Sequence, residues 1–108
     1  MRPARRRTRK IRAAVGSWFL YLLECRDGNV YTGITVDVAA RYAAHASGKG
    51  ARFTRAHPPR RLLTVLDYPD RASASVAEYA VKQLSAAEKR AYALLLKLGK
   101  VAIRLTND

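Results

Sequence analysis

Residues 17–36 read SWFLYLLECRDGNVYTGITV, and the turn in their middle decides the fold. Ser17 to Cys25 is aromatic and aliphatic nearly throughout, as a buried strand requires, and Val30 to Val36 supplies a return strand. The break at Asp27-Gly28-Asn29 is a hairpin signal. Its length matters because side chains alternate along a strand. A two-residue Asp-Gly loop would put Tyr21 and Tyr31 on opposite faces of the sheet. A three-residue loop, Asp27-Gly28-Asn29, sets Arg26 opposite Val30 and brings both tyrosines to one face, with Asn29 in the left-handed position.

Outward from the hairpin, Asp37 is placed to cap an alanine-rich helix that runs to about Ser47 and stops at Gly48. Residues 48–60, GKGARFTRAHPPR, read as a basic loop closed by two prolines. Arg61 to Tyr68 (RLLTVLDY) is the third strand. A second helix is expected from about Ala72 to Leu84, with Val76, Ala80 and Leu84 on one face. Ser85 and Glu88 form a capping box that opens a third helix. That helix carries Ala87, Ala91, Leu94 or Leu95, and Leu98 on its apolar face, with Gly99 as its C-cap. The order is ββαβαα: an α+β fold with a small three-stranded antiparallel sheet flanked by helices. The expected division is a flexible basic arm over 1–15, one domain over 16–99 and a tail over 100–108.

The chain has 108 residues, room for one domain, and a formal net charge of +13. Seven basic residues and no acid fall within Met1 to Arg12; the remainder still carries 14 basic against 8 acidic residues. A domain basic in its own right is suited to a polyanion, because neutralised phosphates release counterions. Cys25 is the only cysteine, which excludes an intrachain disulfide and fits a reducing compartment. No apolar run reaches the roughly 18–20 residues that span a bilayer, and the arginine-rich start lacks a signal-peptide core. The expected location is cytoplasmic, with an organellar transit peptide as the alternative, and no membrane partner is expected.

Tyr21 and Tyr31 bracket the hairpin, with Gly33 two residues beyond Tyr31. Arg41 and His45 stand four apart on the first helix and so share a face, and Glu78 sits alone on the second helix. In this order the set resembles the GIY-YIG nuclease superfamily, above all its small stand-alone bacterial members, and also its branch that cuts branched DNA. The resemblance covers roughly Trp18 to Leu98. It implies that Tyr21 is the tyrosine of the first tripeptide, and that Tyr31 and Gly33 belong to the second. It further implies that Arg41 and His45 form the R-x-x-x-H helix and that Glu78 is the metal-binding glutamate. SGKGARFTR and EYAVKQLS are similar to the small subfamily in particular. Phe19 and Leu20 replace the first Gly-Ile, and Thr32 replaces the central isoleucine of the second tripeptide. Ile34 and Thr35 stand where some excision-repair members carry a lysine.

The same residues suit phosphodiester hydrolysis on chemical grounds. Mg²⁺ or Mn²⁺ at a single site accepts one protein carboxylate, here Glu78, and fills its shell with water and phosphate. No second carboxylate suggests a two-metal clamp. Arg41 offers a planar fork of donors to a phosphate as charge builds. A tyrosine hydroxyl orients or deprotonates the water, with His45 or Arg41 assisting; which tyrosine does so stays open. Lys49, Arg52, Arg55 and Lys82 are the candidates for backbone phosphate contacts that carry no sequence information.

Each residue also has a plainer reading. The tyrosines fill a core edge, Arg41 is solvated and His45 is a satisfied histidine. Glu78 caps with Ser75 or pairs with Lys82, His57 is structural and Cys25 is a buried thiol. Only their joint occurrence points to a metal-dependent endonuclease acting on nucleic acid, DNA before RNA, with structure-specific cutting as a further expectation. The alternatives are a non-catalytic basic nucleic-acid-binding module on the same fold, and a subunit whose protein partner supplies substrate choice. Deleting residues 1–12 is expected to weaken nucleic-acid binding and flatten its salt dependence, read by anisotropy titrations across a salt series. An unchanged slope would show that the arm does not touch nucleic acid.

Overall fold

The computed structural model describes residues 17–99; the expected basic arm and C-terminal tail lie outside these residues. The elements are β1 (Trp18–Cys25), β2 (Val30–Thr35), α1 (Val38–Ala46), α2 (Arg52–Ala56), β3 (Pro59–Tyr68), α3 (Arg71–Lys82) and α4 (Ala86–Lys97). The sheet order is β2-β1-β3 and both pairings are antiparallel. The near-continuous apolar run of β1 therefore lies in the centre, buried on both faces. On one face Leu20 and Leu22 join Val30, Val81 of α3 and Ala93 of α4 in the core. Full burial of each leucine contributes about 1.5–3 kcal/mol. On the other face Phe19, Tyr21, Leu23 and Cys25 are all buried.

The hairpin has the three-residue loop, placed one residue earlier than expected. Glu24 pairs with Val30, so the loop is Arg26-Asp27-Gly28. Cys25 N–H donates to Asn29 O at 2.8 Å and Gly28 N–H donates to Cys25 O at 3.0 Å. The left-handed residue is Gly28 (φ 93), not Asn29. Glycine takes that conformation without a Cβ clash, so it outcompetes its asparagine neighbour. Asp27 Oδ1 instead accepts from Asn29 N–H at 3.1 Å and braces the turn. The parity is unchanged: Tyr21 lies opposite Gly33 and Leu23 opposite Tyr31, on one face.

Asp37 caps α1 through Ala40 N–H. Its C-terminus closes with Gly48 N–H on His45 O and Lys49 N–H on Ala44 O, with Gly48 at φ 82. The expected loop over 48–60 instead holds the short helix α2, so the observed order is ββααβαα. The prolines bar helix only from Pro58 onward, and Pro59 opens β3, at the start of an edge strand where proline is tolerated.

Two helix faces also differ from expectation. On α3, capped by Asp70, the buried residues are Ala74 and Val81, with Ala77 half-buried; Val76 is 72% exposed. On α4 the capping box of Ser85 and Glu88 is present, but Lys89 and Ala93 are buried while Leu94 and Leu98 are exposed. Small residues let both helices approach the sheet closely. Lys89 can be buried because its Nζ donates to Val30 O at 2.9 Å. Glu24 ties the far end of β1 to β3 and α4, accepting from Arg61 Nε at 2.7 Å and Arg90 Nε at 3.2 Å.

Thr32, opposite Leu22, is 1% exposed, and its hydroxyl has no partner among the described residues. A buried unpaired hydroxyl costs about 1–3 kcal/mol. Thr32→Val is therefore expected to raise stability by about 1 kcal/mol, a rise of several degrees in Tm for a domain of this size. Thermal and urea unfolding check it; a lower midpoint would mean the hydroxyl is satisfied.

Candidate active site

Tyr21 projects from the central strand over Gly33 on the neighbouring one. A Cβ built at Gly33 would lie 2.5 Å from the Tyr21 hydroxyl and 2.7 Å from the ring. Only glycine leaves the phenol this path across β2. The hydroxyl then meets His45 Nε2 of α1 at 2.9 Å. Tyr31 stands on the same face, its ring centroid 6.2 Å from that of Tyr21 and 5.0 Å from that of His45.

His45 is itself 1% exposed. Its Nδ1 lies 2.7 Å from Thr54 Oγ1, and Thr54 Oγ1 donates to Ala51 O at 3.0 Å. The imidazole fits because residue 50 is glycine: a Cβ there would fall 2.3 Å from Nδ1. Burial lowers the pKa of His45 and the charge of Arg41 lowers it further, so the ring is held neutral. Burial, reinforced by Tyr31, pushes the Tyr21 phenol up to about 12. Arg41 pulls the other way, by a hydrogen bond and by its charge, and Glu78 adds to the upward push.

These effects show what the fold gathers. Tyr21, Tyr31, Arg41 and His45 share one locality, and the carboxylate of Glu78 is near enough to act on the Tyr21 phenol. Glu78 falls on the packed side of α3 with Ala74, Ala77 and Val81, so its side chain is only 21% exposed. It pairs with Lys82 Nζ at 3.3 Å. The N-cap of α3 is Asp70, so Glu78 is not a capping partner of Ser75. Lys82 is engaged by this pair, and Lys49, Arg52 and Arg55 are exposed along α1–α2.

No group of three histidine, cysteine, aspartate or glutamate residues among the described residues is arranged to hold a metal. A caged transition-metal site does not fit. Glu78, a single sheltered carboxylate, is the kind of ligand a hard cation takes when it keeps most of its shell as water and phosphate.

Thr54, Gly50 and Phe53 belong to the site's surroundings but are not among the residues expected from sequence. Their only signal is the stretch SGKGARFTR, where a threonine in a loop has no distinctive pattern. Phe53 stacks between elements, its centroid 5.8 Å from Tyr31 and 4.2 Å from His57. His57 pairs with Asp27 of the hairpin. Cys25 is wholly buried and burial pushes its thiol pKa up, which suits no nucleophile. No helix among the described residues is long and apolar enough to cross a membrane.

Comparison with known proteins extends over the same region. The GIY-YIG catalytic domain matches residues 17–92. A UPF0213 protein of Cupriavidus pinatubonensis is 49% identical over 80 residues, covering 74% of this chain and 89% of the relative. Another, from Xanthomonas axonopodis pv. citri, is 54% identical over 79 residues, covering 73% of this chain and 78% of that protein. The solution NMR structure of a UPF0213 protein from Bacillus halodurans is 41% identical, covering 83% of this chain and 93% of that one, with a TM-score of 0.44. With the domain matched from β1 into α4 and relatives about half identical across it, the chain belongs to the GIY-YIG family, among its small UPF0213 proteins.

Proposed function

We propose that this protein is a metal-dependent endonuclease that hydrolyses phosphodiester bonds, with DNA as its substrate. The observation that carries the reading is the hydrogen bond between the Tyr21 hydroxyl and His45 Nε2, 2.9 Å long and shielded from solvent. It places a neutral base behind a phenol in a strongly basic domain. The family is one of nucleases, which supports the reaction class.

In this reading a water oxygen forms a bond to phosphorus as the bond to the leaving oxygen breaks. Tyr21 takes the water's proton while passing its own to His45 Nε2, so no free phenolate has to form. The leaving oxygen takes a proton from solvent, and His45 later returns its proton the same way. Arg41 donates to the phosphate oxygens where charge builds. Glu78 would hold Mg²⁺ or Mn²⁺, which when bound would supply further charge neutralisation on the phosphate. Lys49, Arg52 and Arg55 hold the neighbouring backbone phosphates, which gives affinity without sequence choice.

The test is cleavage of labelled linear, single-stranded and branched DNA, with RNA alongside, in Mg²⁺ or Mn²⁺. Glu78→Ala is expected to abolish cutting while leaving binding close to wild type; retained cutting removes Glu78 from the site. Arg41→Ala is expected to lower turnover by about 10²-fold or more. A change in KM alone would make Arg41 a binding residue only. Wild-type binding without cutting on any substrate would favour a non-catalytic module or a missing protein partner.

A further inference from the structure

We infer that Thr54 is a positioning residue that fixes the tautomer of His45, and that this makes Tyr21, not Tyr31, the tyrosine joined to a proton acceptor. The consequence for rate rests on the nuclease reading; the proton arrangement itself does not.

The number of protons available fixes the direction of these bonds. A threonine hydroxyl carries one, and we assign that of Thr54 to Ala51 O at 3.0 Å, an oxygen that can only accept. Toward His45 Nδ1, 2.7 Å away, the same oxygen can then only accept. Nδ1 must therefore carry the hydrogen. In a neutral imidazole that leaves Nε2 bare, and the Tyr21 hydroxyl at 2.9 Å must donate to it. The charge state agrees, because burial and Arg41 both disfavour the imidazolium. The phenol agrees as well, since it is held in its protonated form. One backbone carbonyl, that of Ala51, thus sets the direction of every bond out to Tyr21.

The local fold is shaped to this end. The helix α2 has five residues, too few to be stable without tertiary contacts, and Thr54 is its one buried residue. Arg52, Phe53 and Arg55 are exposed around it. Gly50, just before α2, leaves the space that Nδ1 needs to reach the hydroxyl. Tyr31 meets His45 edge-on at 5.0 Å between centroids, with no hydrogen bond between them among the described residues.

The experiment is a long-range ¹H–¹⁵N correlation spectrum of the protein labelled with ¹⁵N-histidine, recorded on wild type, Thr54→Val and Thr54→Ser, beside kinetics on each. In wild type His45 is expected to show the Nδ1–H tautomer. Thr54→Val removes the acceptor, so the Nε2–H form should appear, with kcat falling by roughly 10²-fold and KM changing little. Thr54→Ser should restore the Nδ1–H form and most of the rate, which a purely structural threonine does not explain. An Nε2–H tautomer in wild type overturns the inference, as does an unchanged tautomer in Thr54→Val. If Thr54→Val fails to fold, the wild-type and Thr54→Ser spectra still decide. A wild type that shows Nδ1–H yet cuts nothing refutes the nuclease reading and leaves the Thr54 assignment standing. A cutting enzyme with Nε2–H does the reverse.

Discussion

Because side chains alternate along a strand, the number of residues in the β1–β2 turn determines whether Tyr21 and Tyr31 can share a face at all. Three residues, with Gly28 taking the left-handed position, give the register in which Tyr21 faces Gly33 and Leu23 faces Tyr31. That parity brings Tyr31 to the face where Tyr21 meets His45. Were the loop one residue shorter, Tyr21 would keep its place on the central strand while Tyr31 turned into the core under α3 and α4. The turn is accordingly braced from several directions: by Asp27 on Asn29, by His57 on Asp27, and by Arg90 on the carbonyl of Gly28.

The second requirement is space. A phenol and an imidazole, both almost fully buried, can meet end to end only where backbone alone lies beside them. Gly33 and Gly50 provide those two clearances on elements far apart in sequence. Burial then makes completeness necessary, because a buried polar group left unpaired is costly. The run from Tyr21 through His45 and Thr54 to Ala51 O has no unsatisfied member. The lone unpaired buried side-chain atom among the described residues lies elsewhere, in Thr32, where relatives of the resemblance carry isoleucine.

How much of this could be read from the chain alone differs by residue. Asp37, Gly48, Ser85 with Glu88, and Gly99 are strong local signals, and each sits at the end of the element it punctuates. Five residues of α2 are too few for any periodicity to emerge, and the Pro-Pro pair that follows masks them. Counting large apolar residues favours Val76 and Leu94 as inward-facing. Packing against the sheet selects the small Ala74 and Ala93 instead, and leaves the Glu78 side chain only partly exposed. The polar set was legible because tyrosine, arginine, histidine and glutamate are chemically distinctive in that order. Thr54 and Gly50 were not, since their role is to receive one bond and to occupy no space.

The electrostatics connect these pieces to the reaction. Burial drives the two partners of the central hydrogen bond in opposite directions, raising Tyr21 and lowering His45. Both shifts keep the proton on the phenol and the imidazole neutral. Arg41 contributes to that state by disfavouring a second positive charge on His45. A phosphate placed against Arg41 would offset its charge and so favour the imidazolium, since an opposite charge nearby stabilises the charged form. On the nuclease reading the substrate itself then makes His45 a better base. A neutral, buried histidine thus suits an enzyme whose base must wait for a polyanion, and the same burial that holds it neutral strengthens the field of the phosphate when it arrives.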